Sequence, residues 1–372
     1  MTISLAQHLA PTIAERLGRC RSDLCLGLPV LVKKDDQLAL VLAVETLTNS
    51  RLHQLSKLIG EPELVLTANR ARIVLATQAS IPQLNEPVRI QPPTGATADW
   101  FRHLADTNFD KAGATGALDV LRDGEMALHY LALTLVKAAE LLPAAVLFPI
   151  DKATARSIDF DVPQIDWAEA RDHLSAFPYL SAVAKARLPI EAHEAGELHV
   201  FRDPNGITEH YAMEIGCPDR TAPVLCRVHS ACFTGDVLGS LKCDCGSQLH
   251  MALALMGEAG AGILLYLNQE GRSIGLANKM RVYNLQAKGL DTVEANHQLG
   301  FSDDERDFRI AVVMLRALGV DTIRLLTNNP KKVDTLQRHG LHVAERLPLR
   351  IVENPHNQSY LSTKAKKSGH AL

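Results

Sequence analysis

Residues 232–246, CFTGDVLGSLKCDCG, contain three of the seven cysteines of the chain: Cys232, Cys243 and Cys245. Ten residues separate the first two, and one residue separates the last two. Thiolates at this spacing can converge on one zinc ion, and three protein ligands leave a fourth position for water, as in catalytic zinc sites. Because zinc lowers the pKa of a bound water to about 7, the pattern favours a hydrolytic metal centre.

Two other interpretations of the cysteines stay open on spacing alone. Any one of Cys20, Cys25, Cys217 and Cys226 could supply a fourth thiolate and close a structural zinc site. Buried cysteines without a metal are also common, because a free thiol packs as a small apolar group. The sequence around the cluster has to decide between these possibilities.

Strands and helices alternate in the second half of the chain. Apolar runs and apolar stripes at helical spacing predict strands over 263–267 and 322–326 and helices over 249–256, 274–287 and 308–318. Asn329 and Pro330 are typical of a helix start, and Gly340 is typical of its end. This alternation favours an α/β fold.

The first half of the chain is also predicted to be α/β. Strands are expected over 38–44, 63–67 and 144–150, and a buried helix over 127–142. Two stretches, 81–99 and 151–189, are rich in turn residues and are expected to be irregular. We therefore predict two α/β domains, 1–185 and 186–372, in keeping with a length of 372 residues.

Composition excludes several classes of protein. With 47% apolar and 22% charged residues, the chain is typical of a globular protein that is neither disordered nor membrane-embedded. Neither half has an excess of basic residues, so no nucleic-acid partner is expected. No run approaches the roughly 18 apolar residues that cross a bilayer, so no membrane partner is expected. Because the N-terminus has no secretory signal and the cysteines suit a reducing compartment, we expect a cytoplasmic protein.

Four polar motifs surround the cysteines in sequence. Arg227–Ser230 precedes them, Glu270–Arg272 and Thr327–Lys332 each follow a predicted strand, and Asp304 and Arg306 lie in an acidic run. Ligands of α/β sheets bind beyond the carboxyl ends of strands, and the start of a helix attracts phosphate. Taken singly, three of these motifs are better explained as surface residues, a polar turn and a solvated helix start. For Thr327–Lys332 alone, phosphate binding and an ordinary helix start are about equally good explanations.

Taken together, the motifs resemble the GTP cyclohydrolase II family of riboflavin biosynthesis. The matching runs occur in the family's order between about residues 186 and 350: RVHSACFTGDVLGSLKCDCG, NQEGRSIGLANK, DTVEANHQLGF, DDERDF and LLTNNPKK. The resemblance implies a GTP cyclohydrolase II-like fold with a zinc loop, and hydrolysis of GTP to 2,5-diamino-6-hydroxy-4-(5-phosphoribosylamino)pyrimidine, formate and diphosphate. It further implies a homodimer and a magnesium ion bound with the GTP phosphates.

The resemblance also implies roles for individual residues. Cys232, Cys243 and Cys245 would bind zinc, Asp304 would accept a proton, and Tyr283 would lie near the reacting base. Arg306 would be either a nucleophile towards the α-phosphate or a clamp on phosphate charge. The GTP contacts would come from Arg227, Val228, His229, Ser230, Ala231, Gln248, Glu270, Gly271, Arg272, Thr292, Thr327 and Lys332. Ala231 departs from the family, which commonly has glutamate there.

The first half is similar to 3,4-dihydroxy-2-butanone 4-phosphate synthase, which is fused to the cyclohydrolase in many relatives. The similar runs are GLPVLVKKDDQLALVLAVE (27–45), ELVLTANRARIVL (63–75) and LLPAAVLFPI (141–150). The synthase uses an acidic run to hold magnesium, whereas this chain has Gln37, Leu38 and Ala39 after Asp35 and Asp36. We therefore expect a degenerate, non-catalytic domain that packs on or assembles the enzyme.

Two alternative functions remain at this stage. A bifunctional enzyme would keep an active synthase in the first half, and a non-catalytic GTP-binding regulator would keep the fold without turnover. The missing acids count against the first alternative. The retained cysteines, Asp304 and Arg306 count against the second, because a binding protein needs no open metal position.

We predict that the full chain has no synthase activity on ribulose 5-phosphate. General acid–base catalysis contributes about 100- to 10,000-fold, and the acids that would supply it are missing. The four-carbon phosphate product is measured with GTP turnover of the same preparation as the control. A synthase rate comparable with GTP turnover would contradict the prediction.

Overall fold

Residues 9–76, 85–109, 117–158, 161–204 and 208–349 are described by a computed structural model. The chain forms two units, one of Met1–Ala176 with Met280–Asp303, and one of Phe177–Lys279 with Asp304–Leu372. The first unit therefore takes in a segment from the second half of the sequence, Met280–Asp303. That segment is called the inserted segment below.

Within the described residues, the first unit is built on a mixed sheet. Its strands are β1 (Val30–Lys34), β2 (Gln37–Ala43), β3 (Glu63–Leu66), β4 (Val88–Gln91), β5 (Asp119–Leu121), β6 (Ala144–Ile150) and β7 (Gln164–Asp166). They lie in the order β5-β4-β3-β6-β2-β1-β7. Neighbouring strands are antiparallel except β1 and β7, which are parallel.

Helices cover this sheet because their apolar faces need burial. They are α1 (Ile13–Cys25), α2 (Asn49–Ile59), α3 (Ala68–Val74), α4 (Ala98–Ala105), α5 (Ala127–Ala138), α6 (Lys152–Ser157) and α7 (Trp167–Ser175). Helix α5 is apolar on most of its surface and packs in a buried cluster with α1 and with strands β1, β2 and β6. Such a helix belongs inside a domain rather than on its surface.

The second unit carries another mixed sheet. Its elements up to residue 267 are β8 (Ser181–Arg187), β9 (Gly196–Arg202), β10 (Glu209–Ile215), β11 (Val224–Ser230), α8 (Phe233–Asp236), α9 (Cys245–Glu258) and β12 (Gly262–Leu267). After residue 303 they are a further helix (Arg309–Ala317), β13 (Thr322–Leu326), a helix at Pro330–Arg338, and β14 (His342–Leu347). The strand order is β14-β13-β11-β12-β10-β9-β8.

At one side of this sheet, strands β14, β13, β11 and β12 run parallel to one another. At the other side, β10, β9 and β8 are each antiparallel to the strand before them in the order. Between the two parts of this unit, helix α10 (Leu276–Ala287) and helix α11 (Thr292–Leu299) carry the chain through the inserted segment. The two helices after residue 303 are accordingly α12 (Arg309–Ala317) and α13 (Pro330–Arg338).

The α/β fold class and the main elements predicted from the sequence are confirmed. Strands β2, β3, β6, β12 and β13 and helices α9, α10 and α12 lie where apolar periodicity predicts them. Asn329 caps α13 by accepting a hydrogen bond from the Lys331 N–H, and Pro330 is its first residue. The buried helix α5 ends at Ala138 rather than 142, because the chain turns at Glu140, whose φ is 58°.

The prediction that residues 81–99 and 151–189 are irregular is wrong in part. Within 81–99 the structure has strand β4 and the start of α4, and residues 81–84 lie outside the described residues. Within 151–189 it has α6, β7, α7 and β8. These elements are short, so apolar periodicity has too few repeats to reveal them, whereas their caps Thr97, Asp151 and Asp166 are visible in the sequence.

No helix among the described residues is both long and apolar enough to cross a membrane.

Candidate active site

The candidate site lies in the second unit, where three parallel strands end at one edge of the sheet. Cys232 follows β11, Glu270 follows β12 and Thr327 follows β13. Because the carboxyl ends of adjacent parallel strands meet, motifs that are far apart in sequence become neighbours there. This confirms that the polar motifs follow strands, as the sequence predicts.

The three cysteines converge. The sulfur atoms of Cys232, Cys243 and Cys245 all lie within 4.8 Å of one another, and those of Cys232 and Cys243 are 3.7 Å apart. Cys232 and Cys243 are buried and Cys245 is half-buried. Such a set of three sulfur donors fits a zinc ion, which favours thiolate ligands. No other group of three metal-binding side chains occurs in the part of the chain that the structure describes.

Two glycines let the cysteine loop close on itself. A Cβ atom at Gly235 would lie 2.8 Å from the Cys243 sulfur and 3.1 Å from the Cys232 sulfur. A Cβ atom at Gly246 would lie 2.2 Å from the carbonyl oxygen of Gly235. Only glycine fits at these positions, because the backbone approaches its neighbours so closely. Both glycines lie in the quoted run, but their spacing from the cysteines does not by itself indicate this role.

Lys279 joins the cysteines to Glu270. Its Nζ lies 3.1 Å from the Cys232 sulfur, 2.8 Å from Thr234 Oγ1 and 2.9 Å from Glu270 Oε1. Hydrogen bonds from Cys243 and Cys245, together with the charge of Lys279, lower the pKa of Cys232 strongly, so this thiol is held as the thiolate. The hydrogen bond to Cys232 correspondingly raises the pKa of Cys243. Lys279 stands in the quoted NQEGRSIGLANK motif, but nothing in its spacing points to the cysteines.

Asp236 also supports the cysteine loop, through the backbone of Cys232. Its carboxylate accepts hydrogen bonds from the Cys232 N–H at 2.9 Å and from the Tyr266 hydroxyl at 2.9 Å. His229 Nε2 lies 3.1 Å from both carboxylate oxygens, and its ring stacks on Tyr266. Burial lowers the pKa of His229, which favours the neutral ring. Asp236 and Tyr266 are functional candidates that the sequence analysis missed.

Glu270 begins an unusual turn. Gly271, Arg272 and Ser273 follow it with φ values of 61°, 65° and 67°, a left-handed conformation that is rare for residues with a side chain. The Glu270 carboxylate accepts hydrogen bonds from the N–H groups of Phe233 and Gly271, at 2.6 and 2.9 Å, as well as from Lys279. It therefore has room for about one further donor, since a carboxylate offers about four acceptor positions.

Asp304 and Arg306 form a bidentate ion pair. Arg306 donates from Nε to Asp304 Oδ1 at 2.7 Å and from Nη2 to Oδ2 at 2.6 Å. A third donor, Nη1, lies 3.3 Å from Ser230 Oγ at the end of β11. Loss of surrounding water acts to raise the pKa of Asp304, but the hydrogen bonds and charge of Arg306 outweigh it and lower that pKa. The two residues lie in an irregular stretch before α12, where side chains two positions apart can face each other.

Further cations line the same edge of the sheet. The guanidinium carbon of Arg306 and the Nζ of Lys332 each lie 4.9 Å from the centre of the Phe308 ring, which attracts cations through its electron-rich face. Lys332 also donates to the Val228 carbonyl at 2.9 Å and is buried. Arg227 is buried and donates to Gln248 and to the Leu326 carbonyl, and burial lowers its pKa to about 10.

Other predicted site residues are found as follows. Thr327 is buried, and its hydroxyl accepts a hydrogen bond from the Asn329 N–H just before α13. The Ala231 N–H donates a hydrogen bond to the Leu267 carbonyl at 2.8 Å, so this N–H is already used within the protein. Tyr283 and Thr292 lie in the inserted segment of the first unit, where Thr292 Oγ1 accepts a hydrogen bond from Gln286 at 2.9 Å.

Comparison with known proteins gives consistent matches. The sequence profile of the GTP cyclohydrolase II family matches residues 181–348. GTP cyclohydrolase-2 of Azospirillum brasilense is 39% identical over 345 residues, which are 90% of this chain and 88% of that protein. GTP cyclohydrolase-2 of Salmonella typhimurium is 57% identical over 195 residues, which are 52% of this chain and 98% of that protein.

Among solved structures, a two-domain 3,4-dihydroxy-2-butanone 4-phosphate synthase from A. baumannii aligns with 91% of this chain and 100% of its own. The TM-score is 0.34 and the sequence identity 14%. A likeness of this degree does not establish a shared fold.

We predict that Cys243→Ser removes bound zinc from the purified protein. A hydroxyl is a poor replacement for a thiolate ligand, and two remaining sulfurs do not complete the donor set. Metal analysis should give about one zinc per wild-type chain, as expected of a mononuclear site. The matched control is Cys217→Ser, which changes an exposed cysteine outside the cluster and should keep the metal. Full zinc content in Cys243→Ser would contradict the assignment.

Proposed function

The chain belongs to the GTP cyclohydrolase II family, the enzymes of the first step of riboflavin biosynthesis, and we propose that its cysteine cluster is the catalytic zinc centre. The enzyme hydrolyses GTP to the diaminopyrimidine product, formate and diphosphate. The observation that carries the proposal is the convergence of three sulfur atoms at the carboxyl ends of adjacent parallel strands, where Lys279 links Cys232 to Glu270.

Removal of carbon 8 of the guanine ring requires hydrolytic opening of the imidazole. Cys232, Cys243 and Cys245 would hold zinc, and the donor set supports this because all three are sulfur ligands close enough to share one ion. When bound, zinc supplies Lewis acidity for that hydrolysis. Lys279 and Asp236 keep Cys232 in place from two sides, through its sulfur and its N–H. Tyr283 is proposed to lie near the reacting base.

Recognition of the guanine base is assigned to the turn after β12. Glu270 is held by three protein donors, so its carboxylate is fixed in orientation before substrate arrives. Its remaining acceptor position suits an N–H of the base edge. Gly271 and Arg272 follow in the left-handed turn, and Arg272 is assigned to phosphate.

The triphosphate is assigned to the cations beside Phe308. Arg306 and Lys332 supply two positive charges there, and Arg227 supplies a third from β11. Thr327 lies just before α13, where the helix start favours an anion. The remaining GTP contacts are proposed for Val228, His229, Ser230, Ala231, Gln248 and Thr292. A magnesium ion bound with the phosphates is proposed to neutralise the charge of the leaving diphosphate.

Asp304 is proposed as the proton acceptor, and Arg306 as a clamp rather than a nucleophile. The Arg306 guanidinium donates two hydrogen bonds to Asp304, which stabilises its charged form. A guanidinium must lose a proton to attack phosphorus, and in proteins it stays protonated. The pair is therefore better suited to holding charge on the α-phosphate than to forming a bond with it.

The cellular setting is proposed on chemical grounds. Thiolate ligands need a reducing compartment, which supports a cytoplasmic enzyme. A homodimer is proposed from the resemblance to the family.

We predict that the wild-type protein with GTP and magnesium releases formate and the diaminopyrimidine, and that Cys245→Ser loses formate release while retaining diphosphate release. The reason is that Arg306, Thr327 and Lys332 lie on segments separate from the cysteines. Both products are measured in parallel, with Cys217→Ser as control. Equal loss of both products in Cys245→Ser would show that the two hydrolyses share the metal.

A separate prediction distinguishes the two roles of Arg306. If it clamps phosphate, protein denatured at neutral pH during turnover carries no GMP on Arg306, and Arg306→Lys turns over more slowly because it loses the two-point grip. Mass spectrometry of the peptide containing Arg306 provides the measurement. A peptide heavier by one guanylyl group would establish the nucleophilic role instead.

A further inference from the structure

The inserted segment belongs to the cyclohydrolase part of the sequence but packs in the first unit. Residues 280–303 fall inside the range 181–348 that matches the family, yet they group with Met1–Ala176. The segment carries Tyr283 and Thr292, two of the residues proposed to contact GTP. The contacts that hold it are therefore relevant to catalysis.

The start of the segment is held by a half-buried ion-pair cluster. Arg281 donates to Glu45 at 3.0 and 3.2 Å and to Asp106 at 3.1 Å. The exposed fractions of these three side chains are 22%, 21% and 10%. Glu45 follows strand β2, and Asp106 caps the end of helix α4. Arg281 precedes Tyr283 by two residues in helix α10, so two rigid elements of the first unit orient that helix turn.

The end of the segment is held by side chains of helix α3 and its cap. Arg70, which is 4% exposed, donates to the Gln298 carbonyl at 2.8 Å as well as to Leu104 at 2.6 Å. Thr67 Oγ1 donates to the Gly300 carbonyl at 2.7 Å, and Asn69 Nδ2 donates to the Phe301 carbonyl at 2.9 Å.

These bonds satisfy carbonyl groups at the end of helix α11, which have no partner within the helix. Helix α11 begins at Thr292, so fixing its last turn also fixes the direction from which Thr292 is presented. The fit at this end is close: a Cβ atom at Gly300, whose φ is 93°, would lie 2.6 Å from Thr67 Oγ1 and 3.1 Å from Arg70 Cβ.

We infer that the first unit is a positioning scaffold for the cyclohydrolase reaction, acting through Glu45, Asp106, Thr67, Asn69 and Arg70 on the segment that bears Tyr283 and Thr292. The inference rests on the proposed roles of those two residues. In this role the first unit contributes to catalysis by positioning residues and needs no catalytic site of its own. The Salmonella relative is matched over 98% of its length by 195 residues, so it is too short to contain counterparts of both Met1–Ala176 and residues 181–348.

The test is the full chain with Glu45→Gln and Asp106→Asn together. These changes keep side-chain size and remove both charges that face Arg281. The matched control is Glu169→Gln, which breaks the ion pair with Arg16 elsewhere in the same unit. We expect kcat to fall about tenfold to 100-fold, since a misplacement of about 1 Å costs up to about 100-fold. Zinc content should match the control, whereas the midpoint of thermal unfolding should fall below it, because Arg281 keeps its charge in a largely buried position without its two partners.

A double-mutant comparison separates positioning from general damage. Adding Arg281→Gln to the double variant should cause no further loss of kcat, because the carboxylates act through that residue. A kcat within twofold of Glu169→Gln in the double variant would overturn the inference. So would a further loss on adding Arg281→Gln that equals its loss in the wild-type background.

If the double variant fails to fold, the single variant Asn69→Asp tests the inference instead. It keeps the oxygen that accepts from Arg72 and removes the donor to the Phe301 carbonyl. A kcat at least threefold below that of Glu169→Gln supports the inference, and a kcat equal to the control overturns it. Absence of any GTP turnover in the wild-type protein would instead overturn the proposed function, so the two failures are distinguishable.

Discussion

Three sulfur atoms within 4.8 Å of one another are the constraint on which the site in the second unit depends. Thiolates so close together repel, and burial strengthens that repulsion because little water screens it. A zinc ion would relieve it when bound. The protein contributes the Lys279 ammonium, which lies 3.1 Å from the Cys232 sulfur, and glycines that allow the loop to close.

The Lys279 ammonium also connects the proposed metal site to the proposed substrate site. Lys279 contacts both Cys232 and Glu270, so the residue that steadies a thiolate also fixes the carboxylate assigned to the base. Asp236 binds the Cys232 N–H and is itself held by His229 and Tyr266 from the adjacent strands β11 and β12. Movement of the loop would therefore disturb the two strands whose ends carry the phosphate and base contacts.

Much of this arrangement is predictable from the sequence, and the missing part has a physical explanation. Parallel strands bring their carboxyl ends together, so motifs that follow apolar runs, such as Glu270 and Thr327, are expected to be neighbours. Lys279 and Tyr266 were not found because their partners lie 47 and 30 residues away in sequence, and no periodicity encodes such contacts. Packing of the inserted segment in the first unit is likewise a tertiary effect: Arg281 and Glu45 are 236 residues apart.

The discontinuous first unit has a consequence for synthesis of the protein. Residues up to Ala176 leave the ribosome about a hundred residues before Met280, and domains generally fold as they emerge. Until the inserted segment has been synthesised, the Arg70 guanidinium lacks the Gln298 carbonyl. The Glu45 and Asp106 carboxylates likewise lack the Arg281 guanidinium. The first unit thus matures only after most of the cyclohydrolase sequence has been translated. Folding of the first unit therefore cannot be complete until residue 303 has been synthesised.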